Sequence, residues 1–79
     1  AYIGFCYYHL KQTSPALSNF NKALSLNPRN NIALFGKSLV IWDMGEYLDA
    51  YLLFDSVSNI NPKHDKAFYY KAMANLKFH

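Results

Sequence analysis

Cys6 and His9 stand three residues apart, the spacing that lays two ligands on one face of a helix, and such a pair is half of a tetrahedral zinc site. The other half is missing, because Cys6 is the lone cysteine and no second Cys or His pair follows. No metal or other cofactor is expected: Cys6 reads as a small buried packing residue, and His9 as an edge or surface residue. Nucleophilic catalysis needs a Ser or Cys beside a His that a carboxylate orients, and helical spacing brings no such trio together. Asp43, Glu46 and Asp49 gather around Gly45, where Glu46 and Asp49 would start a helix and complement its dipole rather than act as acid and base. The chain is therefore not expected to be an enzyme. Lys63, His64, Lys66 and Lys71 form a mild basic patch, which reads as a solvated face.

These groups would be positioned by helices. The 79 residues, 52% of them hydrophobic, suffice for one small core and a single domain. Gly4, Gly36 and Gly45 with Pro15, Pro28 and Pro62 are the only glycines and prolines, too few for a turn-rich sheet. Ala16, Phe20 and Pro28 recur, all at one constant offset, as Ala50, Phe54 and Pro62, which marks an internal repeat whose length is the step from Ala16 to Ala50. Ser14 before Pro15 predicts an N-cap with proline at the first helical position. Gly45 predicts a left-handed helix end, Pro28 and Pro62 stop the helices that precede them, and Asp65 offers another cap. Five helices follow, near residues 1–11, 15–26, 31–44, 47–60 and 65–78: two helical hairpins and one further helix. The purely apolar run from Leu39 to Trp42 is far too short to span a bilayer. A lone cysteine fits a reducing intracellular setting, cytoplasmic or nuclear. The start at Ala1, inside an apolar pattern, is expected of a stretch from a longer protein.

The spacing of Gly4, Tyr7, Ala16, Phe20, Ala23 and Pro28 resembles the tetratricopeptide repeat (TPR) family, in which small residues sit where two helices cross and an aromatic fills beside them. Residues 31–64 keep the pattern at Leu34, Gly45, Ala50, Phe54 and Pro62 but carry Lys37, Ser38 and Val57 where the family prefers Leu, Gly and Ala. Residues 65–79 cover one helix, with Phe68 and Ala72 in place, Lys71 as a further departure, and Asn75 where a large apolar residue is usual. The resemblance implies an all-α fold, a right-handed superhelix of antiparallel helical hairpins, divided as residues 1–30 (a first repeat lacking its start), 31–64 and 65–79. It also implies a scaffold that binds protein.

In such an array the first helix of each hairpin lines an inner wall. At 100° per residue, Leu34, Ser38 and Ile41 form one stripe of the middle repeat, expected against its partner helix, while Ile32, Phe35, Leu39 and Trp42 form another, left to the wall. Carried across the repeats, the wall is Tyr2, Phe5 and His9, then Ile32, Phe35, Leu39 and Trp42, then Lys66, Tyr69, Tyr70 and Met73. Gly36 would let a ligand backbone approach closely, or serve helix packing. Some family members clamp a chaperone's carboxylate tail with Lys and Asn, but the matching positions here are Ala1, Phe5, Gly36, Lys66 and Tyr70, and only Lys66 keeps that chemistry. The expected partner is a hydrophobic or aromatic-containing protein segment, docked as an amphipathic helix or an extended strand. The alternative is a structural part of a larger array or homo-oligomer, with self-association through the uncovered Phe68, Ala72 and Phe78 of the last helix. Nucleic acid is disfavoured, because RNA-reading helical repeats present polar side chains to each base.

Overall fold

A computed structural model describes residues 2–78, with Tyr2 and Phe78 as backbone only, so any role of their side chains, Tyr2 in the wall included, lies outside the described residues, as do Ala1 and His79. Among the described residues the fold is all-helical, without a strand: α1 (Tyr2–His9), α2 (Thr13–Leu26), α3 (Asn31–Asp43), α4 (Tyr47–Ile60) and α5 (Asp65–Phe78). Each helix packs on the next, and α1 also reaches α3. Among the described residues no helix is long and apolar enough to cross a membrane.

The repeat register extends to the element ends. α4 starts and stops exactly one repeat after α2, and the same offset separates the starts of α3 and α5 and the ends of α1 and α3. Their terminal chemistry repeats too. Asn27 and Asn61 each fold a side-chain oxygen over the following proline to accept the N–H of Arg29 (3.1 Å) and of Lys63 (3.2 Å). Asn30 then caps α3 by accepting the Ala33 N–H at 3.2 Å, and His64 Nδ1 caps α5 by accepting the Ala67 N–H at 3.2 Å. Asp65, expected as that cap, is instead the first residue of α5, where its charge complements the helix dipole.

Two further boundaries differ from expectation. α1 ends at His9 because Lys11 turns left-handed (φ 61°), and α2 starts at Thr13, capped by Gln12 without a side-chain hydrogen bond. Ser14 is thus not the cap, and Pro15 is the third helical residue, still within the first turn, where an amide N–H has no helical partner to lose. Lys11 stands one repeat before Gly45 (φ 82°) and does the same work at a steric cost that glycine avoids. Lys11→Gly is expected to stabilise the fold by about 0.5–1 kcal/mol. Equilibrium denaturation checks this, and an unchanged midpoint would mean that the left-handed turn is unstrained.

The core is built on the two repeated phenylalanines, both fully buried. The Phe20 ring is seated on bare backbone: a Cβ on Gly4 would lie 2.7 Å from its Cε1, and one on Gly36 would lie 2.3 Å from the same atom. Phe54 is packed differently, since Tyr70 occupies the position equivalent to Gly36 and stacks on the ring at 5.1 Å and 11°. The stripe of Leu34, Ser38 and Ile41 is buried as expected, with Leu34 against Val57 and Ile41 against Ala50 and Phe54. The Ser38 hydroxyl is satisfied by donating to the Leu34 carbonyl at 2.7 Å. Lys71 lies between α5 and α4, its ammonium 2.6 Å from Asp55 Oδ1 and 5.7 Å from the centre of the Tyr51 ring.

Candidate functional site

The first helix of each hairpin contributes to one trough. A cleft of about 370 Å³ is lined by Tyr8 and His9 of α1, Phe35 and Leu39 of α3, and Lys66, Tyr69 and Tyr70 of α5. Six of these seven belong to the wall expected from the sequence. Tyr8 does not, although it stands one repeat before Trp42, and applying the repeat offset to Trp42 would have found it.

Four other expected wall residues are not among those lining the cleft. Phe5 meets Phe20 edge-on at 5.0 Å and fills the first core cluster. Trp42 packs edge-on to Tyr47 at 5.0 Å and to Tyr70 at 5.5 Å, supporting the floor of the trough from the side. Ile32, in the first turn of α3, is 43% exposed, and Met73 is half-buried. Gly36 is buried beneath Phe20, so it offers no passage to a ligand backbone and its glycine is a packing requirement.

Phe35 and Tyr70 form the floor. Phe35 touches the core at Phe54 (5.9 Å) and lies 4.6 Å from the His64 ring, so the residue that caps α5 also braces the cleft. Tyr70 is held on one side by Phe54 and on another by Trp42, which leaves its position fixed by the core. Tyr69 differs: it is 61% exposed and meets Tyr70 edge-on at 5.4 Å. Lys66 is exposed at the rim and forms no ion pair among the described residues.

A second cleft, of about 520 Å³, shares Tyr8 and His9 with the first and continues past Lys11, Thr13, Val40 and Asp43. The trough thus has an apolar half and a polar half. Burial, followed by the charge and hydrogen bonding of the neighbouring Asp43 carboxylate, raises the pKa of the Tyr8 hydroxyl to about 12.

The remaining reactive groups are dispersed. Cys6, expected in the interior, is exposed and free, because α1 has no helix packed on that side among the described residues. No three His, Cys, Asp or Glu side chains gather among the described residues. Glu46 and Asp49 flank the start of α4 as its cap position and first turn. The basic patch is divided, since Lys71 is engaged by Asp55 and His64 by α5 and Phe35. No family model, curated protein or solved structure matches the chain.

Proposed function

We propose that the chain is a protein-interaction scaffold, a stretch of a right-handed array of helical hairpins similar to TPR proteins, whose trough holds an apolar or aromatic-containing segment of a partner. One observation carries this reading: α1, α3 and α5, the first helices of successive repeats, converge on a single cleft with a rigid aromatic floor and an exposed aromatic rim at Tyr69. A floor fixed by the core loses little side-chain freedom on binding, which is where much of the cost of association lies. The cleft is near the small end of ligand pockets and admits one or two bulky side chains, so micromolar affinity is expected. The unpaired ammonium of Lys66 favours an acidic residue beside the inserted side chain.

Selection from a displayed random peptide library against the folded chain tests this. Enriched peptides are expected to share a Trp, Phe or Leu next to Asp or Glu. Tyr69→Ala should weaken them at least tenfold, about 1.4 kcal/mol, while leaving the melting temperature close to that of the parent, because Tyr69 contributes little to the core. Peptides that bind the Tyr69→Ala protein equally well would overturn the reading. Trp42→Ala is a poor probe, since its half-buried ring braces Tyr70 and its loss disturbs the floor as well as any contact.

A further inference from the structure

The second hairpin carries an apolar patch that its own stacking does not call for. A cleft of about 390 Å³ between α3 and α4 is lined by Lys37, Ile41, Asp49, Leu52 and Leu53, none of which lines either half of the trough. Leu48 and Leu52 stand one turn apart on α4, each 54% exposed. One repeat earlier α2 holds Ser14 and Ser18 in their places, so a second helix seats in its hairpin without leucine there. The charges at this cleft are unusual as well. Lys37 and Asp49 form no ion pair among the described residues. Lys71, one repeat after Lys37, is neutralised by Asp55, but the residue one repeat before Asp55 is the uncharged Asn21.

We propose that this patch is a self-association surface, on which a second copy of the chain docks about a two-fold axis passing beside Leu52. A two-fold interface requires a patch complementary to itself, so a charge on one side of the axis needs the opposite charge on the other. The register of the hairpin supplies this. Leu34 packs with Val57 and Ile41 with Ala50, which sets Lys37 level with Leu53 and Phe54, about one turn along α4 from Asp49. Leu52 lies between those two levels. A half-turn about Leu52 therefore brings Lys37 of each copy towards Asp49 of the other and sets the exposed leucines against their counterparts, out of water. A wholly apolar partner, or one of a single charge sign, would leave one of the two charges facing nothing favourable. The apolar stripe ends at the exposed Ser56 and Asn59, so the contact is smaller than the roughly 1,200–2,000 Å² of stable interfaces and the dimer is weak, with a Kd of about 0.1–1 mM.

Sedimentation equilibrium of the folded chain up to about 1 mM is expected to show a monomer–dimer equilibrium that weakens as salt is added. Leu52→Lys, which sets like charges together at the axis, should abolish it. Lys37→Glu and Asp49→Lys, each checked for intact helicity, should each weaken self-association at least fivefold, because each places two like-charge pairs across the interface. An equimolar mixture of these two variants should associate as the parent does, since every charge then meets its opposite on the other chain. That rescue separates a contact between copies from an effect within one chain. The proposal is overturned if the parent stays monomeric throughout, if Leu52→Lys dimerises as well as the parent, or if the mixture associates no better than its two components.

Discussion

Phe20→Ala is expected to remove about 3–5 kcal/mol of stability, as large-to-small changes at fully buried aromatic positions do. A domain of this length has a total of about 4–12 kcal/mol, so the variant sits at the edge of folding, and urea denaturation followed by circular dichroism measures the loss. The mechanism predicts a specific coupling. Gly36→Ala in a free helix would stabilise by about 1 kcal/mol through propensity alone. Here the added methyl falls 2.3 Å from the Phe20 ring, so the substitution should instead destabilise by about 1–3 kcal/mol. In the Phe20→Ala background the obstruction is gone, and Gly36→Ala should turn stabilising. A double-mutant cycle that finds the two effects additive would refute the wedge of Phe20 between Gly4 and Gly36.

Phe54→Ala should cost a similar amount, about 3–5 kcal/mol, but with a second consequence that Phe20→Ala lacks. Phe54 is the platform on which Tyr70 stacks and which Phe35 meets edge-on, so its removal takes the support from the floor of the cleft. Both variants weaken the fold, yet only Phe54→Ala is expected to alter the near-ultraviolet signal from Tyr70 and Trp42 under conditions where the chain is still folded. At low temperature, peptides selected on the parent should lose affinity for Phe54→Ala well beyond the unfolded fraction. If they bind its folded fraction with undiminished affinity, the floor does not depend on the core.

The repeat was legible from three residue pairs at one offset, because a hairpin can be stacked on its copy only if its crossing points recur. Five helices and their order followed from the same prolines and Gly45. Less legible were the details decided by what packs from outside a helix. Cys6 has the composition of a buried residue and is exposed because nothing covers that side of α1 among the described residues. Ser14 has the chemistry of a cap, but the left-handed turn at Lys11 sets the start of α2 earlier. In the wall, helical periodicity grouped residues by face without giving their depth: it put Phe5 and Trp42 with Tyr69, whereas the first two pack against the core and the third projects from it. Gly36 showed the same ambiguity, since an absent side chain looks alike from both sides of a helix until its neighbour is placed.

Because each helix packs mainly on its neighbour in the chain, the contacts that hold this fold close short loops. Chain topology of that kind gives rapid folding and a gradient of local opening instead of a single uniform barrier. α3, which packs on α1 as well as on α2 and α4 and carries the most buried side chains, should retain its amide protons longest. α1, with eight residues and the strained turn behind it, should be the first to exchange. The trough spans that gradient, with one wall on the most persistent helix and the other on the most transient, so its α1 side can open and reclose while its floor stays in place.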